Sequence, residues 1–207
     1  VLSPGFVLGH SDNVVSQRRR LCPVVRIGDA DRPLIGREQP LGFAVAGIRK
    51  LLVGQLHGNE PAGGEALLAL ATALGEGELK ALLDRITVVI MPRVNPDGAH
   101  YFWRGTASCV DVNRDHLKVD LPETLALRRM ATELPPDVFV DAHEFSVATR
   151  WIEKFDALQS YDFLMAYATH PNVDTRLGEA AERLFGRNIA RDVAGAGYSH
   201  FWYYTTS

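Results

Sequence analysis

The feature that most constrains the fold is the alternation of apolar, β-branched runs with segments of helical periodicity. Strands are predicted for 42–48, 51–56, 86–93 and 137–145, and helices for 63–77, 122–134 and 175–192. The composition of 95-NPDG-98 predicts a turn. Each strand is short, and each helix carries apolar residues three or four positions apart. Strands that alternate with helices indicate an α/β fold with a mixed, largely parallel central sheet flanked by helices.

The first 40 residues follow a different pattern. They are rich in Pro, Gly and Arg and show weak periodicity, with 23-PVVRIG-28 as the best strand candidate. A chain of 207 residues is close to the size of one domain. We therefore predict that residues 1–40 form a loop-and-strand segment of the same domain as residues 41–207.

Composition argues against nucleic acids and membranes as partners. The net charge is −3, so we expect no nucleic-acid partner, and no apolar run reaches the length of a membrane span. Residues 1–13 lack the pattern of a signal peptide, but a peptide that had been removed would leave no trace, so the compartment stays open. The sequence does not predict the oligomeric state.

Two cysteines, Cys22 and Cys109, are too few for a disulfide framework. A single bridge between them is one interpretation. We favour two free, buried thiols. Neither residue belongs to a CxxC pair. A cysteine-based metal site is therefore not expected.

Polar residues follow two of the predicted strands directly. His57 and Glu60 come after the strand 51–56, and His143 ends the strand that starts at 137. The carboxyl ends of parallel strands meet at one edge of a sheet, which would bring these side chains together. Two imidazoles and a carboxylate form a catalytic zinc set with an open position.

Other interpretations of these residues exist. HxxE alone is also a plain polar turn, and a histidine at a strand end is often only hydrogen-bonded. The same three ligands can hold iron(II) in oxygenases, but those sites usually lie in all-β barrels, which the helical segments here disfavour.

The segment 101-YFWRGTASCVDVNRD-115 contains Arg104, Asn113 and Arg114. The arginine fork suits bidentate binding of a carboxylate, and an arginine near a metal can stabilise an oxyanion. Composition alone equally fits a surface loop in which the two arginines pair with Asp111 and Asp115.

Five pieces in order resemble the zinc carboxypeptidases of the funnelin type, the carboxypeptidase A-like group. They cover about residues 50 to 145, and together they are far more specific than any one of them. The pieces are 57-HGNE-60, 94-VNPDG-98, 103-WR-104, 111-DVNRD-115 and 141-DAH-143.

The resemblance implies a role for each matching residue. His57, Glu60 and His143 would bind one Zn²⁺. Arg104 would hold the scissile carbonyl oxygen as it becomes negative, while Asn113 and Arg114 would grip the free α-carboxylate of the substrate. The implied activity is removal of a C-terminal amino acid from a peptide by attack of zinc-bound water.

The chain departs from the family pattern in its later part. The glutamate that the family uses as general base is not located, and Glu144, next to a ligand, would point to the opposite face of a strand. We expect that the catalytic domain of residues 41–207 lacks its C-terminal part, which would carry the base. A catalytically dead relative is the competing interpretation. The family's substrate tyrosine is matched only by position, with Tyr198, Tyr203 and Tyr204 as candidates.

The branch within the family is a further expectation. The short interval between Glu60 and His143 suggests a compact, bacterial-type member. HGNE followed by Pro-Ala-Gly also resembles the aspartoacylase and succinylglutamate desuccinylase branch, which hydrolyses N-acyl amino acids. The VNPDG turn and the Trp-Arg pair favour the peptidase. Two more functions are compatible with these residues, a cell-wall peptide amidase and a non-catalytic module that binds carboxylates.

Overall fold

The computed structural model describes residues 7–8, 25–27, 47–147, 150–168 and 170–203. Most of the predicted strand 42–48 lies outside these residues, as do Cys22 and Tyr204. The chain forms two compact units, Val1–Glu144 and Phe145–Ser207. The predicted boundaries of one domain, 1–40 and 41–207, stay a prediction.

The described elements follow the predicted alternation. The strands are β1 (Val7–Leu8), β2 (Val25–Ile27), β3 (Ile48–Gly54), β4 (Ile86–Met91), β5 (Val138–Ala142), β6 (Phe163–Met165) and β7 (His200–Trp202). The α-helices are α1 (Pro61–Gly75), α2 (Pro96–Tyr101), α3 (Pro122–Glu133), α4 (Arg150–Phe155), α5 (Thr175–Ala181) and α6 (Arg187–Gly195).

The first unit contains a five-stranded sheet in the order β1-β2-β4-β3-β5. Strand β3 pairs in parallel with both β4 and β5, whereas β2 is antiparallel to β4 and to β1. The predicted α/β class with a mixed sheet is therefore confirmed. Because β4 and β5 lie on opposite sides of β3, the chain reverses its direction of winding there, which is where α/β sheets bind ligands.

Helices cover both faces of this sheet. Alternate residues of a strand point to opposite faces, so the neighbours Leu51 and Leu52 enter different cores. Leu52 packs with Leu67 and Leu74 of α1, and Leu51 packs with Leu127 of α3. Burial of apolar side chains on both faces accounts for the continuous apolar runs 51–53 of β3 and 88–91 of β4.

Two local predictions were wrong. The segment 95-NPDG-98 was predicted as a turn from its composition, but Asn95 caps α2 by accepting a hydrogen bond from the Gly98 N–H, and Pro96 occupies the first helical turn. Cys109 is a free thiol as predicted, but it is exposed rather than buried.

The second unit contains a two-stranded parallel sheet of β6 and β7, together with helices α4 to α6. The predicted helix 175–192 is interrupted by a π-helical turn at Glu182–Gly186 and continues to Gly195. Tyr198 and Tyr203 are both exposed. None of the helices in the described residues is long and apolar enough to cross a membrane.

Candidate metal centre

The parallel strands β3 and β5 deliver the candidate ligands to one edge of the sheet. Gly54 ends β3 opposite Ala142 at the end of β5, so the residues that follow each strand become neighbours. His57 and Glu60 follow β3, and Glu60 is the N-cap residue of α1. His143 follows β5 directly.

The turn between His57 and Glu60 closes tightly, with the Glu60 N–H bonded to the His57 carbonyl at 3.1 Å. Gly58 lies against the backbone of α2, where a Cβ atom would overlap Gly98 and Ala99. Glycine is therefore required at position 58, because any side chain would push the turn away from α2.

The three candidate ligands meet around one point. One ligand atom from each of His57, Glu60 and His143 lies within 4.8 Å of the other two. The Nδ1 atoms of both histidines are 2.8 Å from the two Glu60 carboxylate oxygens. His57 and Glu60 are buried, at 3% and 8% exposure, and His143 is more accessible.

A second carboxylate lies behind each histidine. The Nε2 atom of His57 is 3.1 Å from Asp111 Oδ1, and that of His143 is 3.0 Å from Asp141 Oδ2. A carboxylate that accepts the Nε2–H proton leaves the Nδ1 lone pair free for a metal. Both histidines therefore present a suitable donor atom on the side where Glu60 lies.

The electrostatics of the site favour a cation. Burial raises the pKa of Glu60, but hydrogen bonds with His143 and His57 outweigh it and lower that pKa to about 2. The hydrogen bond with Asp141, followed by that with Glu60, raises the pKa of His143 to about 9, so a metal ion that binds there would displace a proton from this imidazole. Two imidazoles and one ionised carboxylate match the donor set of a catalytic zinc ion, so these residues fit the metal.

Arg104 reaches the same cluster from the loop after α2. Its Nε donates to Asp111 Oδ2 at 3.0 Å, and its Nη1 lies 3.6 Å from Glu60 Oε1. Partial burial raises the pKa of Asp111, but the charge of Arg104 contributes to a net lowering of that pKa. Asp111 therefore contacts both a candidate ligand and the candidate oxyanion residue.

Asn113 and Arg114 occupy a short 3₁₀ helix, Val112–Arg114, beside His143. The Asn113 amide nitrogen is 3.4 Å from His143 Nε2. Arg114 is exposed, and its Nη1 donates to the Asn113 carbonyl at 3.0 Å. Within the described part of the chain, no carboxylate lies within ion-pair distance of Arg114, which leaves its guanidinium available to an external carboxylate.

The carboxylate of Glu144 is bonded to the backbone of α1, which is not the position of a general base. Its carboxylate accepts a hydrogen bond from the Ala62 N–H at 2.6 Å in the first turn of α1, and its own N–H donates to Glu60 at 3.2 Å. The sequence did not predict that Asp111 and Asp141 would support the two candidate histidine ligands. Their positions beside the two motifs, two residues before Asn113 and two before His143, were the available signal.

The family assignment follows from this chain's match to a family model. The zinc carboxypeptidase model matches residues 48–183, which include all the candidate site residues. The chain belongs to the zinc carboxypeptidase family. Zinc is the metal of this family, and the His57–Glu60–His143 group is a cluster that could bind it.

Carboxypeptidase 2 of Trichophyton equinum is 34% identical over 197 residues, which cover 94% of this chain and 36% of that protein. Carboxypeptidase 2 of Trichophyton rubrum is also 34% identical, over 152 residues that cover 72% of this chain and 28% of that protein. The chain thus spans about a third of the length of these curated relatives.

Solved structures support the fold. The carboxypeptidase A of Helicoverpa armigera has a TM-score of 0.60 at 16% identity, covering 87% of this chain and 48% of that one. A metallo-carboxypeptidase from Burkholderia cenocepacia has a TM-score of 0.50 at 22% identity, covering 61% and 33%. Because these relatives are fungal, insect and bacterial, the bacterial-type assignment stays a prediction.

Proposed function

We propose that this chain is part of a zinc-dependent carboxypeptidase that removes a C-terminal amino acid from a peptide. The observation that carries the proposal is the convergence of His57, Glu60 and His143 with Arg104 at one edge of the sheet. Family membership supports the hydrolase class, and this geometry supports a site where a carbonyl could be polarised.

In the proposed reaction, His57, Glu60 and His143 hold the zinc ion. Zinc bound there supplies Lewis-acid chemistry that polarises a carbonyl and makes water a better nucleophile. Asp111 and Asp141 orient the two imidazoles by accepting their Nε2–H protons.

Arg104 is proposed to stabilise the negative charge that develops on the scissile carbonyl oxygen. Its guanidinium lies 3.6 Å from a ligand carboxylate, and Asp111 fixes its orientation through the Nε–H. A donor fixed before the reaction is effective because little reorganisation is needed as the charge appears.

Asn113 and Arg114 are proposed to bind the terminal carboxylate of the substrate. Both residues lie on the 3₁₀ helix Val112–Arg114, and the Asn113 amide lies beside His143. A carboxylate held there would direct cleavage to the last peptide bond. The general base stays unassigned among the described residues.

The proposal is tested with the full natural protein on N-blocked dipeptides that have either a free or an amidated C-terminus. We expect hydrolysis of the free acids only, loss of activity with a chelator, and recovery with zinc. Arg104→Ala should lower kcat by roughly 100-fold or more, as for loss of an oxyanion donor. Arg129→Ala, a change at an exposed arginine of α3, is the control.

Three outcomes would replace the proposal with a different function. Equal turnover of free and amidated dipeptides would show that Asn113 and Arg114 do not bind the terminal carboxylate of the substrate. Hydrolysis of N-acyl amino acids without dipeptide cleavage would indicate the deacylase branch that the HGNEP sequence also resembles. Binding of peptides without any turnover would indicate a non-catalytic relative.

A further inference from the structure

A pair of buried amide side chains, Gln55 and Asn95, lies between the metal-binding turn and the loop of Arg104. Their exposures are 3% and 0%. Neither is a candidate metal ligand or a proposed substrate contact. We call these two residues the amide brace.

Gln55 holds the turn that supplies two of the candidate ligands. Its Nε2 donates to the Gly58 carbonyl at 3.0 Å, between His57 and Glu60 in sequence. Its Oε1 accepts from Arg93 Nε at 2.9 Å, so both ends of the amide are bonded. A buried amide with both ends satisfied has little freedom to move, which fixes the position of the turn.

Asn95 holds the segment that carries Arg104. Its Oδ1 accepts from the Gly98 N–H at 2.8 Å and caps α2. Its Nδ2 donates to the Gly105 carbonyl at 3.0 Å and lies 3.4 Å from the Arg104 carbonyl. The Asn95 side chain therefore joins the start of α2 to the backbone next to Arg104.

A backbone bond connects the two halves of the brace. The Asn95 N–H donates to the Gln55 carbonyl at 3.1 Å, and the Val94 N–H donates to the Gly54 carbonyl at 3.1 Å. These bonds extend the pairing between neighbouring segments beyond the ends of β3 and β4. These backbone bonds fix the position of one residue relative to the other and do not depend on either side chain.

The backbone at Gln55 is strained. Its φ is +55°, a left-handed conformation that glycine adopts at much lower cost than glutamine. Such strain persists where the surroundings require it, and it concentrates at functional sites. A residue needed only to turn the chain here could be glycine, so the glutamine side chain points to an additional role.

We propose that Gln55 and Asn95 are positioning residues that set Arg104 relative to the metal ligands His57 and Glu60. Gln55 fixes the ligand turn, Asn95 fixes the arginine, and their backbone bond fixes one to the other. The inference rests on the role proposed above for Arg104, and it adds two residues that contact neither the metal nor the substrate.

Asn95 is tested in the zinc-loaded natural protein labelled with ¹⁵N-arginine. Asn95→Ser keeps a side chain that caps helices well but is too short to reach the Gly105 carbonyl. Asn95→Asp keeps the size and the acceptor but removes the donor. The Nε–H resonance of Arg104, assigned with Arg104→Lys, reports whether its bond to Asp111 persists.

In both Asn95 variants, we expect the Arg104 resonance to shift or broaden and kcat to fall at least 10-fold. Zinc affinity should change less than about 3-fold, since the ligand turn is held by Gln55. The control is Asn188→Asp, because the Asn188 amide also donates to a backbone carbonyl, that of Leu184, but on an exposed helix of the second unit. That change should leave the resonance and kcat unaltered.

Gln55 is tested with Gln55→Gly, which relieves the strained φ and removes the amide. Strain relief offsets part of the lost hydrogen bonding, so we expect a small change in Tm but a fall of about 10-fold in zinc affinity. A residue with only a structural role would show the reverse, a lower Tm with unchanged zinc affinity in the folded protein.

The two proposals fail in different ways. A wild-type protein that hydrolyses no carboxypeptidase substrate contradicts the proposed function, while the Arg104 resonance and the zinc affinity still report on the brace. An unmoved Arg104 resonance in Asn95→Ser, or unchanged zinc affinity in Gln55→Gly, would overturn the positioning role even in an active carboxypeptidase.

Discussion

At the scale of single residues, the site depends on carboxylates that do not touch the metal position. Asp111 bonds to both His57 and Arg104, at 3.1 and 3.0 Å, and also accepts the Asn113 N–H at 2.8 Å. One side chain therefore orients a ligand, an arginine and the start of the proposed carboxylate clamp. The sequence suggested a pairing of Asp111 with an arginine only as part of a surface loop.

Asp111→Asn should weaken zinc binding by about 10- to 100-fold, the range found when a partner of a metal-binding histidine is lost. The amide can donate to His57 Nε2, which favours the tautomer with a proton on Nδ1 and removes the donor atom for the metal. Zinc affinity is measured by competition with a chromophoric chelator.

Asp84→Asn is the matched control for this change, because Asp84 is exposed in the 3₁₀ helix before β4. It should leave the affinity unchanged. A dissociation constant for Asp111→Asn equal to that of the wild type would show that His57 keeps its orientation without the carboxylate.

Arg114→Ala should raise KM for a dipeptide with a free C-terminus by about 30-fold, which corresponds to about 2 kcal/mol. Loss of a fully buried charge pair costs roughly 2–5 kcal/mol, and the exposure of Arg114 places the expected effect at the low end of that range. Steady-state kinetics with free and amidated dipeptides measure the change, and an unaltered KM would contradict the clamp.

At the scale of elements, the close packing of α1 against β5 determines the distance between the two halves of the metal site. Glu60 occupies the N-cap position of α1, and His143 follows β5, so the contact between helix and strand sets their separation. Gly63 allows this contact, because a Cβ atom there would lie 2.7 Å from the Ala142 Cβ. Contacts of this kind involve residues far apart in sequence.

Gly63→Ala should therefore displace α1 from β5 and lower zinc affinity together with stability. Overpacking of this kind costs about 1–3 kcal/mol. Thermal denaturation of the metal-free protein and chelator competition measure the two effects. Gly195→Ala is the control, because a Cβ atom at that helix end meets nothing within 4 Å; equal behaviour of the two variants would contradict the packing role.

The same contacts explain what the sequence could predict. Apolar periodicity was sufficient for β3, β4, α1 and α3, because their side chains are buried on defined faces. The order β4-β3-β5 was not predictable, since it depends on pairing between strands far apart in sequence, such as that of Gly54 with Ala142, 88 positions later. The capping role of Asn95 was missed because Asn, Pro, Asp and Gly are typical of both turns and helix starts.

At the scale of the whole molecule, the candidate site joins segments from residue 57 to residue 143 within the first compact unit. An ion that binds three ligands from two distant segments binds the folded state and not the unfolded chain. Metal binding is therefore coupled to the stability of this unit, and stability reports on metal binding without any assay of activity.

Removal of zinc should lower the Tm of the natural protein by about 10 °C. Free zinc at about 1,000 times the dissociation constant adds about 4 kcal/mol to folding, and each kcal/mol shifts Tm by about 2–4 °C for a cooperative unit of about 150–250 residues. Differential scanning calorimetry with and without a chelator measures the shift. His57→Ala should abolish it, whereas His100→Ala, at an exposed residue of α2, should preserve it. A zinc-dependent shift that survives His57→Ala would place the metal elsewhere in the protein.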